Sequence, residues 1–91
     1  MKGYTKITKS KFALYVRFLN IGNRQKFEFV MDRFNQSFPL KEWNENRRSW
    51  QLVPADLSKI VDFSKSIFGP TSYMVIDEDN TGSMPRQSTY I

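Results

Sequence analysis

The sequence predicts a small α+β domain with the order β-α-β-β-α-β, on three observations. Residues 11–19 alternate cleanly, with Phe12, Leu14, Val16 and Phe18 on one side and Lys11, Ala13, Tyr15 and Arg17 on the other. Period-two alternation of this length marks a half-buried strand. Two later stretches carry apolar residues at helical spacing: Phe27, Val30, Met31, Phe34 and Phe38, then Leu57, Ile60, Val61, Ser64 and Phe68. Each is one stripe of an amphipathic helix. Between them lies a unit with Trp43 and Trp50 flanking the polar run Asn44, Glu45, Asn46, Arg47, Arg48 and Ser49, which reads as two short strands around a turn. A small, mainly antiparallel sheet with both helices packed on one face would bury both stripes.

Each element has a local reason. Asn23 is placed to cap a helix over 24–37, because its side chain can accept from a free first-turn amide. Pro39 ends that helix and Pro54 opens the next, with Asp56 in its first turn, where a negative charge suits the helix dipole. Gly69-Pro70 stops the second helix. An Asn directly after a strand can bond its own backbone, so Asn44 nucleates a hairpin connection of five or six residues. Residues 73–77 form the last strand candidate. The expected organisation is a basic flexible arm over 1–10, with a frayed strand around Tyr4 to Ile7 as the alternative, one domain over 11–77 and a flexible tail over 78–91, where Tyr90 and Ile91 could dock as a short strand. At 91 residues the chain has room for one core.

Composition narrows the chemistry. With Cys 0 and His 0, disulfides, thiolate metal sites and the usual acid–base group are excluded. No carboxylate pair is framed for catalysis, so no enzyme activity and no cofactor are expected. Asp77, Glu78 and Asp79 are consecutive, and no partner group is spaced to complete a metal site. Without a long apolar run or an apolar leader, a soluble cytoplasmic protein without membrane association is expected.

The net charge of +5 favours polyanionic partners. Its distribution says more: Lys2, Lys6, Lys9, Lys11, Arg17, Arg24 and Lys26 all precede the first acid, Glu28. Basic surfaces hold nucleic acid through phosphate contacts and counterion release. The candidate binding residues follow. Lys11, Tyr15 and Arg17 form a basic and aromatic strand face of the kind that holds unpaired bases and backbone together. Lys9, with Lys2 and Lys6, belongs to the arm. Lys41, Arg47 and Arg48 line the Trp hairpin, where guanidinium forks reach phosphates. Trp43 and Trp50 read either as a stacking platform for bases or as a cross-strand pair closing the hairpin over the core. Trp50, in register with Leu52, favours the core.

The central unit resembles the HARP domain, a small module that precedes the motor in annealing helicases. The resemblance covers about residues 27–68. It rests on Phe38-Pro39 at a helix end, Trp43 before a polar turn, Arg48 two residues before Trp50, and Pro54, Leu57 and Ile60 leading the next helix. Asn44-Glu45 stands where the family often has Asp-Pro. The resemblance implies DNA binding in support of strand annealing or fork recognition, with any motor in a partner such as a helicase or recombination protein. The expected function is thus a non-enzymatic module for single-stranded or forked DNA, with RNA also admitted by phosphate-led contacts. The rival expectation is a protein-interaction or homodimerisation module, supported by the aromatic surplus of Phe29, Phe63 and Tyr73 and by edge strands able to pair with a copy.

Overall fold

A computed structural model of the chain describes residues 3–78. Among them are five strands and two α-helices: β1 (Tyr4–Lys9), β2 (Leu14–Leu19), α1 (Arg24–Ser37), β3 (Glu42–Asn44), β4 (Ser49–Leu52), α2 (Leu57–Phe68) and β5 (Tyr73–Asp77). They form one five-stranded sheet in the order β3-β4-β2-β1-β5. Three pairings are antiparallel and the fourth, β1 with β5, is parallel. The class is α+β, as the pattern predicts, and the mainly antiparallel sheet is mixed through its one parallel pairing. The order gains a strand at the front.

That strand corrects the expected arm. Tyr4–Lys9 pairs along its whole length with β2 and all but its first residue with β5, and Thr5 and Ile7 are fully buried. A single inward aliphatic, Ile7, gives weak periodicity, and the sheet supplies the rest. The buried Thr5 hydroxyl lies 2.7 Å from Ser64 Oγ, which is 3.0 Å from the Ser72 carbonyl oxygen. This hydroxyl pair ties α2 to β1 and to the start of β5, and it satisfies two groups that would be costly to bury alone. Gly3 belongs to the same junction. It has φ +154°, and a Cβ there would run into the ring of Phe68.

The second strand also starts later than the alternation suggests. The Ser10 amide donates to the Ala13 carbonyl at 2.9 Å, so residues 10–13 form a turn. Phe12 is consequently 81% exposed while Ala13 is buried. The predicted inward face survives from Leu14 through Val16 to Phe18, which pack in the core. The helices fall where the stripes place them. Asn23 caps α1 by accepting the Lys26 amide at 2.8 Å, and Val30, Phe34 and Phe38 are buried while Phe27 is 43% exposed. A short 3-10 turn over Pro54–Asp56 leads into α2, and Gly69 closes it at φ +119°. Both helices lie on one face, against Ile7, Leu14, Val16 and Leu52. Residues 79–91, most of the expected tail, and Lys2 lie outside the described residues.

Phe34 is at the centre of this core. It is fully buried, and the rings of Phe18, Phe38, Trp50 and Phe63 stand 5.0, 5.2, 5.9 and 5.9 Å from its own. Phe34→Ala is expected to cost about 3–5 kcal/mol in denaturant unfolding. Gly3→Ala, which forces Phe68 to move, should cost about 1–3 kcal/mol. An unchanged unfolding midpoint for Gly3→Ala would mean that the N-terminal segment is not docked.

Candidate functional site on the open sheet face

Helices cover one face of the sheet, so the other is built from the side chains that alternate outward. Ile7 and Val16 point into the core, which sends Lys6, Thr8, Tyr15 and Arg17 to the open side. The register sets Lys6 directly opposite Arg17 and Thr8 opposite Tyr15, with Ile76 next to Thr8 on the other side. Lys6, Thr8, Tyr15, Arg17, Arg47, Ser49, Ile76 and Glu78 together line a concavity of about 590 Å³, within the range of small-ligand sites.

Arg47 reaches this face because its backbone is held from both sides. Its amide donates to Asn44 Oδ1 at 3.0 Å, and its carbonyl accepts from the Ser49 hydroxyl at 2.8 Å. The turn-nucleating role expected of Asn44 therefore holds, through Arg47. The connection is shorter than predicted: residues 45–48 separate β3 from β4. Arg48 closes it in the left-handed region at φ 50°, a conformation that a short hairpin loop commonly needs. The Arg47 side chain then lies back over the sheet. Its guanidinium carbon is 4.0 Å from the Tyr15 ring centre. Its two terminal nitrogens donate to Glu78 at 2.7 and 2.9 Å. Glu78 directly follows the edge strand β5, so this pair crosses the open face from the hairpin side to the opposite edge.

Electrostatically the site is basic. Lys6, Arg17 and Arg47 face one carboxylate, Glu78. Among the described residues neither Lys6 nor Arg17 has an ion-pair partner. Like charges directly opposite on neighbouring strands repel, and among the described residues no ion pair relieves the Lys6–Arg17 couple. A bound anion between them would. The hydrogen bonds from Arg47 are the largest effect and, with the Arg47 charge, hold the Glu78 carboxyl below the usual glutamate range, against an opposing desolvation that lies between the two in size. The same contact raises Arg47.

The residues singled out in the sequence divide among three places. Tyr15, Arg17 and Arg47 meet on the open face. Trp43 and Trp50 face the helices instead. Trp50 pairs in register with Val16 and Trp43 with Trp50, and the two indoles meet edge to face at 5.1 Å. Trp50 also packs on Phe34, so the core role expected for it holds. Trp43 stays 48% exposed, its indole N–H donating to Glu45 at 2.9 Å. Lys41 lies over the rings of Phe34 and Trp50 at 5.5 and 5.4 Å, on that same side. Arg48 is exposed beside Glu45, 4.0 Å away, and borders a groove with Phe27, Trp43 and Trp50. Lys9 and Lys11 are exposed at the β1–β2 turn, and Lys11 stands 5.6 Å from the Phe12 ring. Neither joins the concavity. Lys6, which does, is expected only as part of a basic arm, because its segment does not read as a strand with an outward face. The alternation of Lys6 and Thr8 with buried Thr5 and Ile7 is the signal that marks it.

Among the described residues no cluster of acidic side chains is arranged to hold a metal, and no helix is long and apolar enough to cross a membrane. No family model, curated protein or solved structure matches this chain.

The geometry fixes how the strap over this face responds to acid. Glu78 has a depressed pKa in the folded state, so its contribution is complete above the ordinary glutamate value and is lost as pH falls through the lowered one. In a carboxyl-carbon NMR titration Glu78 should titrate below the ordinary glutamate value, and Arg47→Met should return it towards that value.

Proposed function

We propose that the chain is a non-enzymatic nucleic-acid-binding module, acting in the cytoplasm, that takes single-stranded or forked DNA on the open sheet face. The observation that carries this reading is the juxtaposition of the unpaired Lys6–Arg17 couple with Tyr15 and the Arg47 fork in one concavity. Phosphates would sit between Lys6 and Arg17 and on Arg47, while a base stacks at Tyr15. Aromatic stacking contributes about 1–3 kcal/mol per base and tolerates any sequence. Thr8 offers a hydroxyl to sugar or base edges. Contacts of this kind position a strand without reading its sequence. The resemblance of residues 27–68 to the HARP domain agrees in ligand class, and a helicase or recombination protein would then supply the motor. In this reading Lys41 lies on the helix side of the sheet, and Trp43 and Arg48 border a second groove that Arg17 also lines.

A second reading, a self-associating module, draws on the edge strand β5, whose Met74 and Val75 are each 42% exposed. Light scattering at rising concentration distinguishes it: a monomer that binds oligonucleotides fits the first reading, and a dimer with no such affinity fits the second.

The decisive substitution is Lys6→Glu. It replaces a like-charge cross-strand pair with an opposite-charge one, so it should stabilise the fold by about 0.2–1 kcal/mol. A charge-assisted contact to phosphate is worth about 1.5–3 kcal/mol, so the same change should weaken binding of a labelled single strand at least about tenfold. Fluorescence anisotropy and thermal unfolding measure the two effects. Three phosphate contacts predict a slope of about −2 for log affinity against log salt. Unchanged affinity in Lys6→Glu would remove the open face from the function. Parallel titrations with single-stranded RNA and with duplex and forked DNA rank the polymers.

A further inference from the structure

We infer that Glu78 is an intramolecular stand-in for a nucleic-acid phosphate, a latch that occupies the Arg47 fork and must be displaced before a strand can bind. The inference rests on the nucleic-acid reading of the open face and adds a competitor to it.

Three features lead there. The Glu78 carboxylate takes both terminal nitrogens of Arg47, at 2.7 and 2.9 Å. This is the two-point geometry in which a guanidinium also grips a phosphate, so one fork cannot serve both. The contact joins residues far apart in sequence across the mouth of the concavity, with the Arg47 guanidinium laid on Tyr15 at 4.0 Å. Holding Arg47 there covers the Tyr15 ring face as well, so one contact masks a phosphate donor and a stacking surface together. The two side chains are 39% and 40% exposed. A pair this open to water is weak, and a polyanion held nearby by Lys6 and Arg17 can exchange with it.

Exchange follows a simple order. Lys6 and Arg17, which the latch leaves unpaired, take the first phosphate. The second displaces Glu78 from Arg47, and the freed guanidinium swings off Tyr15 with that phosphate. The newly exposed ring accepts a base. The apparent dissociation constant is the intrinsic one divided by the unlatched fraction of molecules, and Glu78 once released repels the bound strand. Removing the carboxylate should therefore tighten binding by about three- to tenfold.

The test is a double-substitution cycle read by anisotropy with a short fluorescein-labelled oligo(dT), using Glu78→Ala, the isosteric Glu78→Gln, Arg47→Met and the combination Glu78→Ala with Arg47→Met. Glu45→Ala, which removes a carboxylate elsewhere on the hairpin, is the control for overall charge. Both Glu78 variants should bind about three- to tenfold more tightly than the unaltered protein, and the gain should vanish when Arg47 is Met. Without ligand, the Tyr15 ring-proton resonances should move in Glu78→Ala and stay in place in Glu45→Ala. If the unaltered protein binds and Glu78→Ala binds no better, the latch is overturned while the binding reading stands. The latch also falls if the gain persists at full size in the Arg47→Met background, because it would then be general charge repulsion. If neither the unaltered protein nor Glu78→Ala binds, the latch and the binding reading fall together.

Discussion

The structure depends on the burial of Phe34. Its ring collects one partner from β2, one from the end of its own helix, one from β4 and one from α2. Those contacts hold helix and sheet elements around a single point. A domain this small cannot bury both faces of a five-stranded sheet with two short helices. The aromatic cluster decides which face they cover. The alternation of β1, β2 and β4 is then assigned: Ile7, Leu14, Val16 and Leu52 go inward, and Lys6, Thr8, Tyr15 and Arg17 are committed to the open side.

The open face is therefore a by-product of core packing that has been given a definite chemistry. Nothing in the core requires Lys6 opposite Arg17, and the pairing opposes folding slightly. The hairpin is similarly over-determined around one residue. Asn44 and Ser49 fix the amide and the carbonyl of Arg47, and Arg48 holds a left-handed conformation to close the turn. A turn that only had to connect two short strands would gain from Gly at that position. Spending these constraints on the aim of one guanidinium is what separates this face from an ordinary hydrophilic sheet surface.

How legible this was in the sequence varied with the strength of the local signal. Both helices and the last strand are readable because apolar spacing, caps and Gly or Pro stops all agree there. The first strand is weaker in isolation: Thr5 stands where a core residue is expected, and its burial becomes affordable only beside Ser64, which is far away in sequence. The start of β2 is misread because Phe12 continues the apolar alternation while the backbone has already turned. Of the site, Tyr15, Arg17 and Arg47 follow from residue type and alternation. Their union with Lys6 and Glu78 does not, because it depends on β1 pairing between β2 and β5 and on a contact between the hairpin and the far edge. The Trp pair shows the opposite case. Its composition suggests a surface for bases, yet register places both rings on the helix side.

The charge pattern makes the same point more generally. Seven cations precede the first acid, and a count alone would assign them to one basic patch. Folding scatters them. Arg24 bonds Glu28 one helical turn on, Lys9 and Lys11 sit at the β1–β2 turn, and Lys2 lies outside the described residues. Of the six that are described, only Lys6 and Arg17 line the concavity, and they do so because antiparallel register places them side by side. The third cation, Arg47, comes from a stretch where acids and bases are mixed. A polyanion would therefore meet a site made by strand pairing and not by composition. Among the described residues its potential is set by three cations and one carboxylate, and in the proposed function the +5 net charge would act at long range to bring a polyanion near.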